Sequence, residues 1–253
     1  MYINKSKNDK VIIGFCLTGI FLFLTLIFIA NFFHFNFAME SDVASEAILS
    51  EQIWISKKVI PDAWYSSTEA RIISTPNIGA LFYGISKDMS FAMGAACCVM
   101  TLSILGSAFW FFKNVADNVR CSSCLGTYLL LALPFNISYL KLVYLYAGYY
   151  AICIIVLFFT LATYGKVLRS SEIDKWGMGI SVVLALGLGL QGMRGILVLY
   201  APLLGIEIIR RLRNVLHRCK TNRADTLISI WVIVLLCASY LGTCFPFSVG
   251  QDI

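Results

Sequence analysis

Seven of the chain's 14 acidic residues, Glu40, Asp42, Glu46, Glu51, Asp62, Glu69 and Asp88, fall in one stretch between two long apolar runs. A carboxylate in such a place can take the proton of a hydroxyl nucleophile as general base, or help to hold a divalent cation through oxygen ligands. Asp42 and Glu46 are four residues apart, so on a helix they share a face. The plainer alternative is that Asp42 only caps a helix while Glu46 and Glu51 face water. Arg194 is the second candidate, lying in Gly192-Met193-Arg194-Gly195 between apolar segments. A basic side chain there costs about 2.5–3.5 kcal/mol at mid-membrane on insertion scales, and residues of this kind tend to be functional. Its guanidinium could grip a phosphate by two parallel hydrogen bonds while the glycines let a ligand approach the backbone. The plainer alternative is a snorkelling Arg that marks a turn at the interface. Glu69 and Arg71 are the third pair, able to order their loop by a local ion pair or to point into a substrate site.

Other reactive residue types carry less. Cys121 and Cys124 form a CxxC, but no second pair and no His stands at zinc-site spacing, so two buried small residues are the simpler reading. Cys16, Cys97, Cys98, Cys153 and Cys237 lie inside apolar runs, where Cys behaves as a small hydrophobe and disulfide scaffolding is not expected. His34 reads as an interfacial residue between Phe33 and Phe35, and His217 as part of a basic segment with Arg211, Arg213 and Arg218. Asn136-Ile137-Ser138 matches a glycosylation sequon close to an apolar run. The chain has no phosphate-binding loop, dinucleotide fingerprint, HExxH or nucleophile elbow, which removes the usual signatures of cytosolic nucleotide chemistry.

The elements that must position these residues are written in the hydropathy. The chain is 59% hydrophobic and only 13% charged, with a mean hydropathy of +0.80, far from the composition of soluble domains. Runs such as Val11 to Phe33 are long enough, at about 1.5 Å per residue, to cross a hydrocarbon core of roughly 30 Å. They lack the alternation of barrel strands, so the spans are predicted to be helices. Lys5, Lys7 and Lys10 precede the first run as in a signal peptide, yet the run is too long and Asn31-Phe32-Phe33-His34 follows instead of a small-residue cleavage site, so it reads as an uncleaved anchor. Candidate spans lie at 11–33, 89–112, 123–140, 142–164, 178–190, 195–209 and 226–246.

Charge distribution orients them. With the N-terminus in the cytoplasm, segments 1–10, 113–122, 165–177 and 210–225 hold 14 of the 20 Lys and Arg residues, as the positive-inside rule requires. A single helix over 178–209 would put Arg210, Arg211, Arg213, Arg218, Lys220 and Arg223 outside, so a hairpin near 190–195 is preferred. The expectation is an all-α integral membrane protein: one transmembrane domain over 1–253, with about seven spans in the plasma (inner) membrane. Its external first loop, 34–88, is long enough to carry structure of its own. Within it a helix is predicted from about Val43 to Ser56, capped by Ser41 or Asp42, with an apolar stripe of Ala44, Ala47, Ile48 and Trp54, and a second short helix over Ile78 to Ile85. Both would lie along the membrane, with Trp54 and Trp64 at headgroup level. The net charge of +6 then meets anionic lipid headgroups, and nucleic acid is not expected as a partner. The chain ends soon after its last apolar run, so it reads either as a compact protein or as the N-terminal part of something larger.

The order of a first span, the acidic motif Glu40-Ser41-Asp42 with Glu46, an interfacial helix, the stretch Ile60-Pro61-Asp62-Ala63-Trp64-Tyr65 and a second amphipathic helix resembles the first external loop of the glycosyltransferase C superfamily. The stretch from Gly192 through Arg194 and Pro202 to Leu204 is similar to a later span of its bacterial members. The resemblance implies an enzyme of the outer membrane face that uses a polyprenyl-phosphate-linked sugar. It implies Asp42 as general base or acceptor-positioning acid, Glu46 as its supporting carboxylate and Arg194 as the cation on the donor phosphate. No cofactor or metal is required, because phosphate leaves readily. Ser41 and Val43 flank Asp42, whereas the family often pairs two acids there. The alternatives are a transporter or flippase for lipid-linked glycans, which would use the same polar residues as a pathway, and a non-catalytic subunit with a membrane protein partner in cell-envelope glycan assembly.

Overall fold

The computed structural model describes residues 2–33, 40–62, 64, 74–116, 119–132, 136–145, 150–170, 172–217 and 223–245. Among these the protein is all-helical: α1 (Tyr2–Phe33), α2 (Ser41–Ser56), α3 (Thr75–Ser86), α4 (Met89–Val115), α5 (Val119–Ala132), α6 (Ile137–Val143), α7 (Ala151–Ser170), α8 (Lys175–Leu190), α9 (Ala201–Leu216) and α10 (Arg223–Thr243), with a π-helical turn Ile196–Tyr200 leading into α9. Four stretches are long and apolar enough to cross a membrane, Asp9–Phe33, Met89–Val115, Ala151–Ser170 and Arg223–Thr243, and Cys121–Ala132 and Lys175–Leu190 are shorter apolar helices. Large apolar side chains of α1, among them Val11, Phe15, Phe21, Leu22, Leu26 and Phe33, point away from the protein. A continuous apolar face of that kind is a liability in water and the ordinary state of a helix in lipid.

The chain forms two compact units, one of Met1–Pro61 and Ser74–Phe158, the other of Asp62–Ile73 and Phe159–Ile253. In the first, α4 is the central helix and packs against α1, α2, α3 and α5. Its inward residues Ala92, Met93, Ala96, Cys97, Met100, Ile104 and Ala108 recur at helical spacing and are fully buried or nearly so. Several are small, which lets the neighbouring backbones come close. The end of α1 is pinned by Asn31, whose buried amide donates to the Tyr144 carbonyl at 2.9 Å.

α2 begins at Ser41 with Glu40 as its N-cap residue, two residues earlier than its apolar pattern suggests. Its buried residues are Val43, Glu46, Ala47, Leu49 and Ser50, whereas Ile48 is exposed. The stripe expected through Ala44, Ala47, Ile48 and Trp54 is therefore turned, because small and polar Ser50 is what meets α3 and α4: its hydroxyl lies 3.1 Å from the Met93 sulfur, against Gly79. α3 covers the expected 78–85 and adds a turn at its start, where Pro76 sits in the first turn and Ser74 and Asn77 form a capping box.

The apolar stretch expected as one span over 142–164 is divided. α6 ends at Val143 and α7 starts at Ala151. Asn136, the Asn of the sequon, is the α6 N-cap and accepts from the Ser138 amide at 2.8 Å, so it serves as a helix start.

In the second unit α8 and α10 make the closest approach. A Cβ on Gly189 would lie 2.0 Å from the Ser239 carbonyl oxygen, and one on Gly242 would lie 2.5 Å from that of Leu186. The Trp231 indole donates to the Met178 carbonyl at 3.0 Å across the same contact. After α8 the chain turns at Gln191 and Gly192, whose φ of 105° is the left-handed region that favours Gly. The break expected near 190–195 is thus present. Pro202 has no N–H to give and crowds the carbonyl four residues back, and the wide π turn before it absorbs the misfit.

Candidate functional site

The acidic end of α2 is built by the first unit alone. α2 packs against α3 and α4, and α3 packs against α4. Asp42 stands in the first turn of α2 and is exposed, where the aligned backbone amides of a helix start favour negative charge and anionic ligands. Glu46, one turn on, is only 7% exposed and faces the packed side. Glu51 accepts a hydrogen bond from the Tyr83 hydroxyl of α3. That bond is the main reason the Tyr83 phenol is held above its ordinary range. Neither Glu46 nor Glu51 simply faces water, and Asp42 is not the residue that caps the helix. Glu40, just before, accepts from the Lys141 ammonium at 2.8 Å, an exposed pair of small energetic weight.

Arg194 belongs to the second unit and is exposed just after the Gly192 turn, at the start of the helical stretch that runs through the π turn into α9. Glu69, Arg71 and His34 lie outside the described residues. Cys121 and Cys124 sit on α5, and the described cysteines carry free thiols. Among the described residues no group of three or more His, Cys, Asp or Glu is placed to hold a metal ion.

The second unit also contains a polar cluster that sequence reasoning missed. Glu207 of α9 is 2% exposed. Arg210 grips it with two parallel bonds, Nε to Oε2 and Nη2 to Oε1, both 2.8 Å, and reaches the Asp225 carboxylate of α10 with Nη1 at 2.6 Å. The Tyr164 hydroxyl of α7 donates to Glu207 Oε2 at 2.8 Å. Ser229 of α10 also donates to Glu207, and Arg211 donates from Nε to Ser229 Oγ at 2.6 Å and from Nη2 to the Asp225 carbonyl. Two carboxylates and two guanidiniums balance in charge. On α9 Glu207, Arg210 and Arg211 thus turn inward while Ile206, Ile208, Ile209, Leu212, Val215 and Leu216 point out, the inverse of a soluble amphipathic helix. Arg210 and Arg211, expected in a connection between spans, lie on α9 and take part in its packing against α10. A Glu alone in an apolar run with Arg three and four residues on was the available signal.

No protein-family model, curated protein or solved structure matches the chain.

Proposed function

We propose that this chain is a membrane glycosyltransferase-like protein that moves a sugar from a polyprenyl-phosphate donor to an acceptor hydroxyl on the outer face of the plasma (inner) membrane, in a seven-span topology with a cytoplasmic N-terminus. The observation that carries the reading is the setting of Asp42: an exposed carboxylate in the first turn of α2, directly after an apolar span, on a helix pair laid against the next span. The resemblance of the same segment to the glycosyltransferase C first loop supports it.

In this reading the acceptor hydroxyl gives its proton to Asp42 as its oxygen attacks the anomeric carbon from the face opposite the phosphate. The carbon–oxygen bond to phosphate breaks, the configuration inverts, and the bonding pair leaves on the lipid phosphate. The resemblance gives Arg194 the part of cation on the leaving phosphate, a role of the kind oxyanion-type sites use. The resemblance gives Glu46 the part of supporting carboxylate to Asp42, and Glu69 and Arg71 are the further substrate-binding candidates that the sequence offers.

The test is incorporation of labelled sugar from polyprenyl-phosphate donors into endogenous acceptors in membranes holding wild type or Asp42→Asn at matched levels. Incorporation by wild type that falls by about a hundredfold or more in the variant, the range that a positioned general base contributes, supports the reading. Equal incorporation by both overturns the role of Asp42.

The buried Glu207 cluster favours a second reading, a transporter or flippase for lipid-linked glycans, because ionisable side chains among apolar helices commonly line pathways. Movement of a lipid-linked glycan across vesicles without any new glycosidic bond would select it.

A further inference from the structure

The C-terminal ends of α2 and α3 meet in a patch that glycosyl transfer does not use. Both helices end on a lysine in the left-handed conformation, Lys57 and Lys87, each at φ 57°. Gly or Asn is the ordinary choice for that position, so lysine at both is informative. Both ammonium groups converge on one aromatic ring: Lys57 Nζ lies 3.1 Å and Lys87 Nζ 5.0 Å from a Trp54 ring centroid. The Trp54 ring in turn lies against Gly84, where a Cβ would come within 2.5 Å of it, so α2 and α3 are locked together at this end. Among the described residues of these helix ends, Glu51 and Asp88 are already engaged. Glu51 accepts from Tyr83, and Asp88 accepts from the Ser90 and Phe91 amides as the α4 cap.

Around the lysines the surface is apolar. Ile55, beside Trp54, is 61% exposed, and Ile85, beside Gly84, is 82% exposed; Leu81, one turn before Ile85 on the same face of α3, is exposed as well. Lys87 stands two residues before α4, a helix long and apolar enough to cross the membrane, so this end of α3 sits where the chain enters the hydrocarbon.

We infer that the paired ends of α2 and α3 dock on the headgroup layer of an anionic bilayer. Lys57 and Lys87 contact lipid phosphates, Trp54 lies at headgroup level, and Ile55, Leu81 and Ile85 dip into the acyl boundary. Tryptophan, lysine and exposed isoleucine at the point of membrane entry are the combination that interfacial anchors use, and the attraction of a basic side chain to an anionic surface corresponds to about fivefold in affinity per residue. The inference rests on the membrane entry of α4 and is independent of glycosyl transfer.

The full chain, in bilayers of phosphatidylcholine with and without phosphatidylglycerol, tests it by two readings. In the first, quenching by lipids brominated near the headgroup is compared between wild type and Trp54→Phe, the difference reporting Trp54. In the second, phosphatidylglycerol retained after mild detergent extraction is compared between wild type, Lys57→Gln with Lys87→Gln, and Lys57→Arg with Lys87→Arg. The expected result is shallow quenching attributable to Trp54, several-fold less phosphatidylglycerol on the Gln pair and wild-type retention on the Arg pair. A Trp54 signal that the lipids do not quench, whether the ring faces water or a second copy of the chain, overturns the proposal. So does equal retention on a Gln pair that elutes and unfolds like wild type.

Discussion

Replacing Glu207 with Ala removes the acceptor on which the polar cluster of the second unit converges. The wild-type carboxylate accepts from Tyr164, from Arg210 twice, from Arg211 and from Ser229. The variant leaves the Arg210 side chain, 15% exposed, with Asp225 as its remaining carboxylate partner in the cluster, and Arg211, 25% exposed, with Ser229 and the Asp225 carbonyl. Removing one partner of a buried ion pair costs about 3–5 kcal/mol, because the surviving charge is left without its counter-charge in a poor solvent. Asp225 still neutralises Arg210 through a 2.6 Å bond, so the lower end, about 3 kcal/mol, applies. At about 1.4 kcal/mol per tenfold, that is roughly a hundredfold in the unfolding equilibrium. Glu207→Gln keeps an acceptor for Tyr164 and Ser229 and loses the charge, so its cost should be smaller, about 2 kcal/mol. Reversible unfolding of the full chain in mixed micelles, followed by circular dichroism, reads both values. A Glu207→Ala variant within about 1 kcal/mol of wild type would refute the reasoning, since that is the weight of an exposed ion pair.

Gly189→Ala should separate α8 from α10 at a cost of about 1–3 kcal/mol, because the new methyl meets backbone that cannot rotate away. Gly179→Ala on the same helix, where a Cβ meets nothing within 4 Å, should be neutral or stabilising in the same unfolding measurement. Asp174, at the start of α8, accepts from Lys166 at 2.8 Å and from the Gly177 amide, and the Lys166 bond holds its carboxyl below the usual range. Its folded value lies under its unfolded value, so the stabilisation is full above about pH 4 and disappears as pH falls through the folded value. The stability difference between wild type and Asp174→Asn should therefore be flat near neutrality and shrink in acid; a difference that grew on acidification would contradict this sign. Tyr83→Phe should cost about 1 kcal/mol by leaving Glu51 without its phenol, and ultraviolet titration should place the Tyr83 phenol lower in Glu51→Gln than in wild type.

Hydropathy made the membrane class and the helices around Val11, Met89 and Leu235 legible, because apolar length is nearly all that a lipid span demands. It could not locate the break between α6 and α7. The stretch is apolar on both sides of that break, and the hydrogen-bond ladder stops for a local reason, the start at Asn136 and the end at Tyr144. The buried face of α2 was misjudged for a related cause. Ile48 and Ile55 are exposed while Ser50 and Glu46 face inward, so hydrophobicity does not mark the packed side of this helix. Asp42 was readable as a candidate from its place after the first span, and the structure keeps it exposed at a helix start. The Glu207 cluster was not, because it exists only when residues 164, 207, 210, 211, 225 and 229 from three helices are brought together. The Lys and Arg count, taken as loop charge, includes two side chains that Glu207 and Asp225 already neutralise.

The most direct test of the central claim is release of free polyprenyl phosphate from a synthetic polyprenyl-phosphate sugar by the purified chain reconstituted in liposomes with acceptor present, compared with Asp42→Asn of equal stability. The account predicts donor turnover by wild type, an inverted glycosidic bond in the product and loss of both in the variant. Donor left intact by a folded wild type across a panel of sugars and acceptors, or equal turnover by Asp42→Asn, would contradict it.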